Sequence, residues 1–414
     1  MTSSRLPGFH NQNRAARLAV VAEAAGLSAE EVTRFTDASA AEGDLADHLS
    51  ENVIGVMAVP LGVATNLVVD GVDALVPMAT EESSVIAAVC NGAKACREAG
   101  GVFTSADEPR MIAQVQITGL SDPISARAQL FEREAEIGAI CDACDPMLVS
   151  LGGGFRAIEA RVVGGFLVLH LIVDVRDAMG ANAVNTMAER LAPKLEEWTG
   201  GKVGLRILSN LADRRLVRAR AVWPAKVIGK DVVEGMLGAY AFAAADPYRA
   251  ATHNKGIMNG VSAVALATGN DSRALEAGAH AYAGTRPGGY GPLTRWEKTA
   301  KGDLSGVIEL PMPVGVVGGA TKAHPTARMC LKIIGATTAG RLGRVMAAVG
   351  LVQNFSAMRA LATEGIQRGH MGLHARNVAI AAGATGADID RVAAEMIARR
   401  EIREDVARKL LSGG

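Results

Sequence analysis

The middle third of the chain carries the clearest alternation of apolar and polar positions. In residues 113–120 (AQVQITGL) apolar side chains fall at every second place, the period that lines one face of a strand. Ser121 and Asp122 beside Pro123 then open a segment, running to residue 148, whose apolar spacing is helical. After Leu151-Gly152-Gly153-Gly154, the runs RAIEARVV and FLVLHLIVDV flank Gly164-Gly165, a hairpin signal. Residues 177–201 read as a second helix ended by Gly200-Gly201, and 202–211 as a last strand. The order β-α-β-β-α-β is that of a ferredoxin-like sandwich, placed at residues 110–216.

The flanking segments, 1–109 and 217–365, are expected to join as one larger, helix-rich domain into which the sandwich is inserted, giving an α+β protein. From residue 366 to 414 the apolar positions recur at helical spacing with two glycine-containing turns, which predicts a small mobile lobe. The first residues lack the apolar run of a signal peptide and read as helix. Residues 52–69 form a charge-free run about as long as a membrane span. Gly55, Pro60, Gly62 and Asn66 interrupt it, and its β-branched residues predict strand, turn and strand. The expectation is a cytoplasmic protein without a membrane segment.

Composition narrows the chemistry. Lysine plus arginine and aspartate plus glutamate each number 43, so no basic excess points to nucleic acid. Hydrophobic residues make up 49% but aromatics only 4%; such a chain packs helices closely and leaves apolar surface suited to an oligomer. Five cysteines at irregular spacing argue for a reducing compartment, and the single CxxC at Cys141–Cys144 lacks a second pair to complete a zinc site. Two stretches stand out. DAMGAN (177–182) places Gly180 where a strand gives way to a helix, so free N–H groups there suit a phosphate, though no GxGxxG fingerprint is present. In residues 246–271 one lysine, Lys255, sits against a charge-free run of small residues closed by Asp271. Taken alone, Lys255 is an ordinary surface lysine and Glu81-Glu82 a solvated turn. His370 and His374 would then be a polar helix face or a pair of metal ligands.

ENVIG (51–55), DAMGAN, HNKGIMNG (253–260), ATGND (267–271) and GHMGLHARN (369–377), with RLPGF near the start and PMPVGVVGGATKAHP at 311–325, together resemble the signature segments of 3-hydroxy-3-methylglutaryl-CoA reductases. The similarity is greatest to the soluble bacterial class II form and spans the whole chain. It implies a large substrate domain, an inserted ferredoxin-like nucleotide domain and a C-terminal helical flap. It also implies reversible conversion of 3-hydroxy-3-methylglutaryl-CoA to mevalonate and CoA by two hydride transfers, at a subunit interface of a homodimer or higher homo-oligomer.

The resemblance makes Lys255 the oxyanion stabiliser, Glu82 the general acid, Asp271 their catalytic partner and His370 the proton donor to the CoA thiolate. Lys255 is then expected in a water-poor site with Glu82 and Asp271 around it. Arg249 is expected to hold the substrate carboxylate, with Ser84, Asn210, Asn259 and His374 as further substrate contacts, and His253 as an orienting residue. Asp145, Asp177, Met179, Gly180 and Asn182 would bind the nucleotide. A carboxylate at Asp145 favours the ribose hydroxyls of NADH and repels the 2′-phosphate of NADPH, with Asp142 the nearest competing acid. Rival readings are a reductase of another acyl-CoA thioester and a non-catalytic CoA- or nucleotide-binding oligomer.

Overall fold

The computed structural model describes residues 8–40, 42–363 and 366–412, with residues 320 and 366–373 described by backbone alone. Three short helices lead in: α1 (Arg14–Ala25), α2 (Ala29–Ala38) and α3 (Gly43–Leu49). Asn13 caps α1 through its side chain, and Ser28 with Glu31 forms a reciprocal capping box on α2. The first strands, β1 (Leu61–Val69) and β2 (Val72–Ala79), form an antiparallel hairpin. This corrects the expectation for residues 52–69. Residues 51–60 form no strand, and the turn lies at Asp70–Gly71, where both residues have positive φ.

Helix α4 (Val85–Arg97) and strand β3 (Val102–Ala106) follow, and the chain then leaves this sheet. It returns at β8 (Leu216–Trp223), which pairs antiparallel with β3 itself, so the intervening residues are inserted between two neighbouring strands. The insert holds β4 (Arg110–Thr118), α5 (Pro123–Glu132), α6 (Glu134–Asp142), α7 (Pro146–Ser150), β5 (Gly154–Val163), β6 (Phe166–Asp174), α8 (Ala181–Thr199) and β7 (Lys202–Leu208). Its strands align as β5-β6-β4-β7, all antiparallel, the ferredoxin-like order. The helical segment after Pro123 is three helices rather than one. Arg133 departs from helical geometry, and Asp145-Pro146 starts the chain afresh. Met111, Val115, Leu169, Leu171, Met187 and Leu191 form the insert's own core.

After β8 come α9 (Ala225–Ile228), α10 (Lys230–Ala245), α11 (Pro247–Ala267), α12 (Ser272–Gly284), β9 (Thr294–Lys298) and β10 (Leu304–Pro311). The larger unit is therefore more than helix-rich. It is built on a six-stranded sheet of order β2-β1-β3-β8-β10-β9. Helices α13 (Gly319–Ala323) and α14 (Pro325–Ile334) lead to α15 (Ala339–Thr363), which lies across β3, β8 and β10 with α11 and α4 packed on it. By length and composition α15 could cross a membrane, but 67% of its apolar window is buried inside the protein as the core helix. Trp223 stacks on its Phe355 at 4.5 Å between centroids.

The small residues of 256–267 belong to this packing. A side chain at Gly260 would come within 2.9 Å of Val349, and one at Gly350 within 3.0 Å of Val261. Glycine on both helices therefore lets α11 and α15 approach closely. The tail forms α16 (Ile366–Ala381), α17 (Ala387–Arg399) and α18 (Glu404–Leu411) around a separate small core that includes Ala379, Val392 and Met396. Only the first of its turns carries glycine. The second reverses at Arg400, at φ +58°, and Gly369 and Gly372 lie inside α16.

Candidate active site

Helix α11 forms one wall of a cavity of about 310 Å³ lined by Arg249, His253, Lys255 and Asn259. Asp246 caps this helix by accepting the Tyr248 N–H, and Pro247 occupies its first turn. The opposite wall is the turn between β2 and α4, which brings Glu82 and Ser84. Ser84 sits at φ +76°, a left-handed conformation costly for a side-chain-bearing residue, immediately before α4 begins. Lys255 Nζ donates to Glu82 Oε2 at 2.8 Å, and Asn259 Nδ2 to Glu82 Oε1 at 3.4 Å. The side chains of Lys255 and Glu82 are 59% and 39% exposed, so the single chain does not supply the water-poor environment expected around this lysine.

Among the described residues the buried Nη1 of Arg249 has no hydrogen-bond partner, and burial lowers the Arg249 pKa from the usual guanidinium value. His253 is buried, with Nε2 at 2.6 Å from Thr294 Oγ1. Burial first, and the Arg249 charge second, push its pKa down to about 3, so the ring is neutral at physiological pH. An adjoining hollow shares Ser356, Ala360 and Thr363 with this cavity and carries Lys94, Arg97 and Arg359. Arg97 is tied to Asp73 at 2.6 Å.

A second cavity, of about 510 Å³, lies where the insert meets the larger sheet and is lined by Asp145, Met179, Gly180, Asn182 and Asp271. Gly180 precedes α8 at φ +102°, and a Cβ there would come 2.7 Å from Val175 Cγ1, so glycine alone fits the turn. The first N–H groups of this long helix have no acceptor within it, and Gly180, Ala181, Asn182 and Ala183 line the cavity. The loop is held from behind by buried Arg215, whose guanidinium donates to the carbonyls of Ala178, Met179 and Val314. Asn270 accepts the Gly315 N–H at 2.8 Å and ties the third edge. Asp145 both lines the cavity and accepts the Leu148 N–H, capping α7; Asp142 is occupied by the Phe155 N–H.

Several expected site residues lie elsewhere. Asp271 is not beside Lys255. From Lys255 to Ala267 the helix rises about 18 Å, and Asp271 caps the following helix α12 by accepting the N–H groups of Arg273 and Ala274. Burial raises its carboxyl, but those N–H groups and the Arg273 side chain outweigh that, leaving it below the usual carboxylate range. Asp177 does not line this second cavity; its carboxylate accepts the Ala339 N–H at the start of α15. Asn210 is exposed and lines neither cavity. His374 is exposed on α16, and the His370 side chain lies outside the described residues. Arg215 and Asn270 escape sequence reading because their partners are main-chain groups far along the chain.

Residues 13–375 match the family model for hydroxymethylglutaryl-coenzyme A reductase. The 3-hydroxy-3-methylglutaryl-coenzyme A reductase of Archaeoglobus fulgidus is 57% identical, covering 99% of this chain and 94% of its own. A probable enzyme of that name from Borreliella burgdorferi is 35% identical over 82% of this chain and 79% of its own. Two solved structures of the Streptococcus pneumoniae reductase superpose at a TM-score of 0.76 with 36% identity. One covers 98% of this chain and 99% of its own; the other, a class II enzyme bound to NADPH in open conformations, covers 97% and 99%. The chain belongs to the hydroxymethylglutaryl-coenzyme A reductase family and shares the class II fold.

Proposed function

We propose that the protein interconverts 3-hydroxy-3-methylglutaryl-CoA with mevalonate and CoA in the cytoplasm, using NADH. The observation that carries this reading is Arg249, whose Nη1 has no hydrogen-bond partner among the described residues, in the same cavity as the Lys255–Glu82 pair. An acyl group with a carboxylate at one end and a thioester at the other meets complementary groups at both. The neighbouring hollow with Lys94 and Arg359 suits the phosphates of CoA. NADH, when bound, supplies hydride.

Lys255 stabilises the negative charge that each reduction leaves on the former carbonyl oxygen. Glu82, held by Lys255 and Asn259, delivers the proton to that oxygen. The hemithioacetal then releases CoA thiolate, which His370 on α16 protonates so that it does not re-attack the aldehyde. His374, two residues before Arg376 on the same helix, contributes a substrate contact.

The two cavities are separated along α11 within one chain, and Lys255 is open to solvent. Both facts favour a site completed by a second copy. In a two-fold dimer the Lys255 cavity of one protomer faces the nucleotide cavity of the other, and Asp271 of one joins Glu82 and Lys255 of the other. We take the domains to be 1–109 with 217–365, the insert 110–216 and a flap from 366, a division that three separate hydrophobic cores support.

Cofactor choice turns on Asp145. Its carboxylate lines the nucleotide cavity and accepts ribose hydroxyls, whereas a 2′-phosphate brings like charge against it. Purified protein should oxidise NADH faster than NADPH with 3-hydroxy-3-methylglutaryl-CoA, by about tenfold or more for a few kcal/mol of repulsion. Asp145→Ala should narrow the gap chiefly by improving NADPH. An enzyme that prefers NADPH from the outset, or a variant with unchanged discrimination, would overturn the assignment.

A further inference from the structure

The chemistry above leaves His253 unused, although it lines the same cavity as Glu82, Lys255 and Arg249. Its surroundings fix which ring nitrogen carries the proton. Asn354 Oδ1 accepts from Trp296 Nε1 and from the Thr294 hydroxyl, both at 3.0 Å. The Thr294 proton is thereby committed, and its oxygen, which also takes the Trp296 N–H at 3.1 Å, acts as an acceptor towards His253. His253 Nε2 therefore donates to Thr294 at 2.6 Å, and Nδ1 keeps a bare lone pair. The opposite tautomer would bury an N–H beside the Arg249 cation without an acceptor.

His253 is 2% exposed, and its buried Nδ1 has no partner among the described residues. Arg249, whose Nη1 is likewise unpartnered, lies one turn earlier on the same helix face. An idle acceptor and an idle donor thus belong to two residues, one helical turn apart, that line one cavity.

We infer that His253 Nδ1 accepts the hydroxyl proton on carbon 3 of the acyl group while Arg249 holds the distal carboxylate, so that His253 selects 3-hydroxy acyl thioesters over their deoxy counterparts. The order of groups supports the match. Along α11 come Arg249, His253 and then Lys255; along the acyl chain come the carboxylate, the hydroxyl-bearing carbon and the thioester carbonyl. A ligand without the hydroxyl leaves the Nδ1 lone pair buried and unpaired, the situation in which a site rejects an analogue most strongly. The inference rests on the reading of the acyl group given above.

Two substitutions separate this role from a structural one. His253→Gln keeps an amide donor for Thr294 and removes the acceptor at the Nδ1 position; His253→Asn places an amide oxygen near Nδ1 and gives up the Thr294 bond. Each is assayed in the full-length enzyme with NADH, 3-hydroxy-3-methylglutaryl-CoA and 3-methylglutaryl-CoA, which lacks only the hydroxyl. Wild type should prefer the hydroxylated substrate, and His253→Gln should lose about 10- to 100-fold in kcat/KM on it while changing little on the deoxy substrate. His253→Asn should retain more of the preference than His253→Gln. Equal losses on both substrates would assign His253 to structure alone and overturn the inference while leaving the reductase reading intact. Wild type inert towards 3-hydroxy-3-methylglutaryl-CoA would overturn both.

If the variants do not fold, nitrogen NMR of isotopically labelled histidine in the wild-type enzyme decides the matter. Nδ1 should resonate as an unprotonated ring nitrogen and move upfield with mevalonate but not with 3-methylglutarate. A protonated Nδ1, or the same shift with both ligands, would contradict the assignment.

Discussion

Replacing Lys255 by alanine should lower kcat for both 3-hydroxy-3-methylglutaryl-CoA and free mevaldehyde by about 100- to 1,000-fold, the scale of losing one preorganised donor to a developing oxyanion. Both reductions place negative charge on an oxygen, so both should suffer alike. Stability should hardly change, because the side chain is 59% exposed and its ion pair with Glu82 is open to solvent. Nucleotide binding should also persist, since the cavity proposed for the nucleotide is lined by other residues. Kinetics on the two substrates, beside a thermal melt and an NADH titration, check all three expectations. A variant that still reduces the thioester within about tenfold of wild type would remove the oxyanion role.

The second large effect separates the two substrates. His370→Ala should cut turnover of the thioester by about 100-fold or more, the usual contribution of a positioned proton donor. Reduction of mevaldehyde should fall far less, because it releases no sulfur. The physical basis is the thiol itself, whose pKa of about 8.5 leaves a nucleophilic fraction ready to re-attack the aldehyde. Deleting the chain from residue 366 should act in the same direction while sparing nucleotide binding, since the tail has its own small core. Equal losses on both substrates would show that His370 does not serve the thiolate.

Much of this architecture is legible in the residues. The alternation in 113–120 and the Gly164-Gly165 hairpin expose the insert, because a sheet with one covered face keeps a strict period of two. The larger sheet is harder to see. Asp70–Gly71 carries the hairpin signal, but the apolar run before it draws the strands upstream. Strands β3 and β8 pair across the whole insert, a separation that no local pattern encodes.

The site divides in the same way. Lys255, Glu82, Arg249, Ser84 and Asn259 line one cavity. Lys255 and Asp271 look like brackets of one run, yet a helix carries them apart, and closeness in sequence misleads. Asp177 sits within the most suggestive motif and caps a helix, because an acid beside a free N–H is used first for capping.

If one reductase site is shared between two copies, mixed subunits regain activity that each variant alone lacks. Lys255→Ala and Asp271→Asn should each be nearly inactive in 3-hydroxy-3-methylglutaryl-CoA-dependent NADH oxidation. Co-expressed, they should recover about a quarter of wild-type activity, since half of randomly formed two-fold pairs are mixed and each carries one intact site. A mixture as inactive as its parents, or a wild-type protein that oxidises no NADH with this substrate, would contradict a shared reductase site.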